Sequence, residues 1–96
     1  MIKNLINKIE DNLRKQGELK DDAIDFLEEL NEDFNMEIEV NGEWKKIVAI
    51  KNGFLIDEKG EKIDYKKFTL QELYDTLCMI LEYRYRKAIE QFKGGK

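Results

Sequence analysis

Two Asn-Gly dipeptides, Asn41-Gly42 and Asn52-Gly53, limit what this chain can fold into more than any other feature. Asn and Gly tolerate the positive φ at both central positions of a type I′ turn, and that turn matches the twist of two antiparallel strands. The flanking residues have strand periodicity. Met36-Glu37-Ile38-Glu39-Val40 alternates apolar and acidic, so one face is buried and the other is wet. Residues 44–51 hold Ile47-Val48-Ala49-Ile50, and Phe54-Leu55-Ile56 follows the second turn. Asp57-Glu58-Lys59-Gly60 has turn composition with Gly60 in the left-handed position, which leads into a short fourth strand over 62–65. Consecutive tight turns give an antiparallel meander of three to four strands.

Helical periodicity flanks the meander. Ile2, Leu5, Ile6, Ile9 and Leu13 recur at three- and four-residue steps, which predicts a helix over 2–16 with Gly17 as its stop. Ala23, Leu27, Leu30 and Phe34 form the seam of a second helix over 21–34, with Asp21 and Asp22 favourably placed at its positive end. The short connector between them predicts an antiparallel pair. Thr69-Leu70-Gln71-Glu72 reads as a capping box, and Phe68 with Leu73 as its hydrophobic staple. The last helix is predicted over 70–92, with Leu73, Tyr74, Leu77, Cys78, Leu81, Tyr85, Ala88 and Phe92 as its stripe. The fold class is α+β: two N-terminal helices, an antiparallel three- to four-stranded meander and a long C-terminal helix. Length gives one domain over 1–93 and a flexible tail over 94–96.

The first residues, Met1-Ile2-Lys3-Asn4-Leu5-Ile6, carry no continuous apolar segment of the signal-peptide kind, and no apolar run is long enough to span a bilayer. The expectation is a cytoplasmic protein with no membrane partner. Cys78 is the one cysteine and sits in an apolar run, so it is read as core.

The chain has no His and no Ser, and Thr occurs only at Thr69 and Thr76. That removes the commonest general base and every Ser-His or Cys-His nucleophile pair. One Cys without His cannot build a structural zinc site. Asp57, Glu61 and Asp64 flank one turn but lack the spacing of a calcium loop. The expectation is a binding protein and not an enzyme, with no catalytic residue, no metal and no cofactor.

Charge placement is the informative remainder. The net charge is -4, yet residues 18–43 hold eleven acids against Lys20 alone. Within this block Asp22, Asp25, Glu29, Glu32, Asp33, Glu37 and Glu39 avoid the apolar seams and are the expected partner-binding residues. On a helix over 21–34 the pairs Asp21-Asp25, Asp25-Glu29, Glu28-Glu32 and Glu29-Asp33 would repel at i,i+4, a cost that stability alone does not explain. The expected partner is a positively charged protein. The most concrete form is a small phage-type, anti-defence inhibitor that mimics nucleic acid before a nucleic-acid-handling enzyme. Two alternatives stand beside it. One is an oligomeric accessory subunit associating through the last helix, where Met79, Ile80 and Tyr83 form an exposed patch unless the first two helices cover them, so that the chain is a monomer or a homodimer. The other is a nucleic-acid binder using Tyr83, Arg84, Arg86 and Lys87.

Overall fold

The structure is a computed structural model that describes residues 2–15 and 20–94, the side chains of Arg14, Lys15 and Lys93 excepted. Helices α1 (Ile2–Lys15) and α2 (Lys20–Glu28) precede strands β1 (Glu32–Val40), β2 (Glu43–Lys51), β3 (Phe54–Asp57) and β4 (Lys62–Ile63). A 3-10 turn, Tyr65–Lys67, leads into α3 (Leu70–Gly94). The four strands form one antiparallel sheet in the order β1-β2-β3-β4, so the α+β layout expected from the sequence is the one observed.

The turn chemistry acts as the dipeptides require. Asn41 and Asn52 both have φ of 54°, followed by Gly42 at 82° and Gly53 at 83°. Positive φ at two successive positions is the type I′ signature. The third turn is organised by Asp57, which is almost fully buried. Its Oδ1 accepts the Lys59 and Glu61 amides at 2.9 and 2.8 Å. Asp57 is thus engaged in holding its own turn.

One core lies between the sheet and the helices. Phe34, Met36, Ile38 and Val40 point inward from β1, and Ile47, Ile50 and Leu55 from β2 and β3. Leu73, Leu77 and Ile80 of α3 and Ile6, Ile9, Ala23 and Leu27 of α1 and α2 close it from the other side. α3 runs antiparallel to β1, because Arg84 meets Glu32 while Glu72 meets Asn41. α1 and α2 both pack on α3. Gly17, the predicted stop, lies outside the described residues.

The second helix is shorter than its seam implied. It ends at Glu28, and β1 has already begun at Glu32. Phe34 belongs to the strand: it stands two residues before Met36 and so joins the period-2 row Phe34, Met36, Ile38, Val40. The same spacing fits a helix seam one turn beyond Leu30, and sheet pairing decided between the two. Glu28-Glu32 and Glu29-Asp33 are therefore not helical neighbours. Only Asp21-Asp25 repels inside the helix, which removes most of the like-charge cost argued from sequence.

The start of α3 is as read. The Glu72 amide donates to Thr69 Oγ1 at 3.1 Å and the Thr69 amide to Glu72 Oε1 at 2.8 Å, with Phe68 and Leu73 both buried. Glu72 Oε2 also accepts the Asn41 amide at 3.0 Å, tying the helix cap to the first hairpin turn. Burial pushes the Glu72 carboxyl up, but the Asn41 and Thr69 amides and the Thr69 side chain outweigh it and hold the pKa below its ordinary value. A depressed carboxylate stabilises the fold above its unfolded-state pKa, and that contribution is lost as pH falls through the folded one. Glu72→Gln is expected to cost about 1 kcal/mol near neutral pH, the worth of a charge-assisted hydrogen bond. The gap from the parent should close as urea melts are repeated below the ordinary carboxyl range.

Candidate functional site

The acids of residues 18–43 divide between two layers. On α2, Ala23 and Leu27 face the core, while Asp21, Asp22 and Asp25 stay exposed, as does Glu29 in the turn that follows. On β1, alternation sends Asp33, Glu37 and Glu39 to the side opposite Phe34, Met36 and Ile38, the outer face of the sheet. The helix acids and the strand acids are therefore not one continuous row. The sequence reading assumed a helix running on to Phe34, which would have merged them.

Their engagement differs too. Glu32 is half-buried on the inner face and accepts Arg84 Nη2 at 2.7 Å. Asp33 meets Lys51 Nζ at 3.5 Å on the outer face, a solvent-exposed pair worth little. Glu28 meets Lys66 at 3.4 Å. Glu37 stands opposite Lys46 in the ladder, and Glu39 opposite Trp44. Among the described residues, Asp22, Asp25, Glu29, Glu37 and Glu39 form no ion pair.

The outer face of the sheet beyond β1 is not acidic. Lys46, Lys51 and Lys62 share it, and Lys62 Nζ lies 5.5 Å from the Phe54 ring centroid. Trp44 is 69% exposed there. Sequence reasoning placed Trp44 in the strand without asking which way it points. Alternation with Lys46 and inward Ile47 was the available signal.

Helical geometry turns Tyr85 away from the rest of the basic-aromatic cluster at the end of α3, while Tyr83, Arg86 and Lys87 share one face. Tyr83 packs edge-on against Phe34, with centroids 5.4 Å apart, and Lys87 Nζ sits 6.0 Å from the Tyr83 centroid. Arg84 is held by Glu32. Successive helical residues are separated by ~100°, so Tyr83 and Tyr85 lie on nearly opposite sides. Of the four candidate residues, Tyr83, the aromatic one, is partly buried against the core, and Arg84, Arg86 and Lys87 surround it.

Of the two readings of Met79, Ile80 and Tyr83, an exposed patch or residues covered by the rest of the fold, coverage is the one observed. Ile80 is fully buried and Met79 and Tyr83 are partly buried, because these positions face the sheet. The exposed apolar residues are instead Tyr85 at 66%, Ile89 and Phe92 at 87%. They continue the stripe of Tyr74, Cys78 and Leu81, which is partly buried against the core. The predicted stripe is therefore core in its first half and exposed in its second. The helix also runs on to Gly94, one residue into the predicted tail.

Three depressions lie between β1 and this half of α3. One of about 330 Å³ is lined by Asn35, Met36, Glu37, Met79, Glu82 and Arg86. A second, about 210 Å³, lies between Asn35 and Tyr83, Arg86, Lys87 and Glu90. A third, about 340 Å³, runs from Glu32 and Asp33 to Ala88 and Gln91. They mark a groove along the one long edge of the sheet.

Cys78 is half-buried beside Tyr74, whose hydroxyl donates to Glu10 Oε2 at 2.8 Å. Burial pushes the thiol pKa up, the Tyr74 side chain pulls against it, and Asp75, Glu10 and Glu82 push it further up. A thiol so placed holds little thiolate at neutral pH. Its alkylation by iodoacetamide at pH 7.5 is expected to run at least tenfold slower than in the urea-unfolded chain.

No family model, curated protein or solved structure matches this chain.

Proposed function

We propose that this protein is a non-enzymatic binding module that docks through its exposed carboxylates onto a positively charged partner protein. Glu37 and Glu39 on the outer face of the sheet carry the contact, and Asp22, Asp25 and Glu29 on the helix side add to the field that steers the approach. The supporting observation is that these five acids are exposed and form no ion pair among the described residues. Exposed carboxylates outside ion pairs project a field that accelerates encounter with an opposite charge. The partner class this fits is a nucleic-acid-handling enzyme whose basic groove takes carboxylates in place of phosphates, as a phage-type inhibitor of a defence nuclease would use it. The test is capture from a bacterial lysate on the immobilised chain. A basic nucleic-acid-binding protein should be retained at low salt and released at high salt. Recovery of no salt-sensitive protein overturns the proposal.

A second reading has its own observation. Tyr85, Ile89 and Phe92 present an exposed apolar stripe on α3, which fits self-association through that helix. Light scattering across a hundredfold range of concentration separates the two. A constant monomer mass removes the oligomer reading.

A further inference from the structure

Among the described residues β1 pairs with β2 on one side and with no strand on the other. A nine-residue strand with an open edge presents a row of unpaired amides and carbonyls, which is a template for another strand. α3 lies alongside, and its Met79, Glu82 and Arg86 form the back wall of the groove whose front is Asn35, Met36 and Glu37. A strand edge walled by a helix is the geometry in which extended peptides add to a sheet: the backbone supplies affinity and alternate side chains supply choice. The irregularity between Asp33 and Met36 disturbs the beginning of β1, whereas Met36 to Val40 pair regularly with β2. Those five residues are the usable edge.

The charges select the occupant. Glu37 and Glu39 flank the edge on the outer face, whereas Glu82 and Arg86 balance each other on the helix wall, so the outer face sets the sign. A second copy is disfavoured. Two β1 edges related by a two-fold axis would oppose Asp33 to Glu39, or Glu37 to itself, and like charges directly across a ladder are destabilising. β2 shows the complementary pattern on the paired side, where Lys46 faces Glu37.

We propose that the open edge of β1, from Met36 to Val40, receives an extended segment of the partner as a fifth strand. That segment alternates lysine or arginine with apolar residues: its cations lie over Glu37 and Glu39 and its apolar side chains turn toward Met79. This inference rests on the acidic docking reading and specifies its mode.

The probe is a capped eight-residue peptide alternating lysine with valine, compared with the same peptide N-methylated at every residue. Both have the same charge, but only the first can donate backbone hydrogen bonds. Titration of the full chain, followed by amide NMR and hydrogen exchange, is expected to show the parent peptide slowing exchange of alternate amides between Met36 and Val40. The methylated peptide should bind at least tenfold more weakly. Equal binding of both peptides with no slowed β1 amide overturns strand addition and leaves acidic docking standing. Binding of neither at low salt overturns both.

Discussion

Replacing Asp25, Glu37 and Glu39 together by lysine is expected to weaken capture of the basic partner at least tenfold at low salt. Each reversal changes charge by two units, so the chain moves from -4 to about +2, and the attraction that steers encounter becomes repulsion. The choice of residues follows from the structure. Glu32 holds Arg84, so reversing it would disturb the fold as well as the surface, and the charge of Asp33 is already met by Lys51. Asp25, Glu37 and Glu39 are exposed and form no ion pair among the described residues, so the reversals stay on the surface, and only Glu37→Lys, set opposite Lys46, adds a cross-strand like-charge cost of up to about 1 kcal/mol. A melt within a few degrees of the parent establishes that the variant is folded. The difference in capture should shrink with salt, because the screening length falls from about 10 Å at 0.1 M to about 3 Å at 1 M. A triply reversed chain that keeps the same partners with the same salt sensitivity shows that these carboxylates only solubilise the domain.

Two alanine substitutions in one helix are expected to behave as opposites. Leu77 is fully buried against the sheet, and Leu77→Ala should cost about 3 kcal/mol from lost apolar burial plus the cavity left behind. For a domain of this size that is a fall in Tm of roughly 12–24 °C. Phe92, 87% exposed, is a larger side chain, yet Phe92→Ala should change Tm by no more than a degree or two. Thermal melts at low protein concentration check both. The Phe92 measurement repeated at high concentration adds a reading: if its cost grows there, the exposed stripe is buried in an oligomer.

The contrast shows what was legible in the sequence. Turn chemistry was read closely, since Asn-Gly encodes its conformation locally and needs no tertiary help. The capping box and staple were legible for the same reason. The stripe of α3 was read correctly as periodic, but periodicity reports which residues share a face and not whether anything covers it. Tyr85 and Phe92 are in phase with Leu81, and only the arrangement of the other elements decides which of them are buried. Phe34 failed for a different reason. Its spacing from Leu30 suits a helix and its spacing from Met36 suits a strand, and the backbone pairing of β1 with β2 settled it. That one boundary carried the candidate site with it. Once Glu32 and Asp33 join the strand, one carboxylate turns inward to Arg84 and the next turns outward, and a supposed single acidic face becomes two.

The carboxylate of Glu72 holds the Thr69 amide and the Asn41 amide at once. A hairpin and a helix start, each specified by a few adjacent residues, are thereby closed by one side chain across 31 positions of sequence. Neither element is expected to loosen alone. Fraying of the first turn of α3 releases the hairpin tip, and opening of the tip takes from Glu72 Oε2 the amide it accepts. In the language of hydrogen exchange they belong to one cooperative unit, whose amides open at a common free energy although they are distant in the chain.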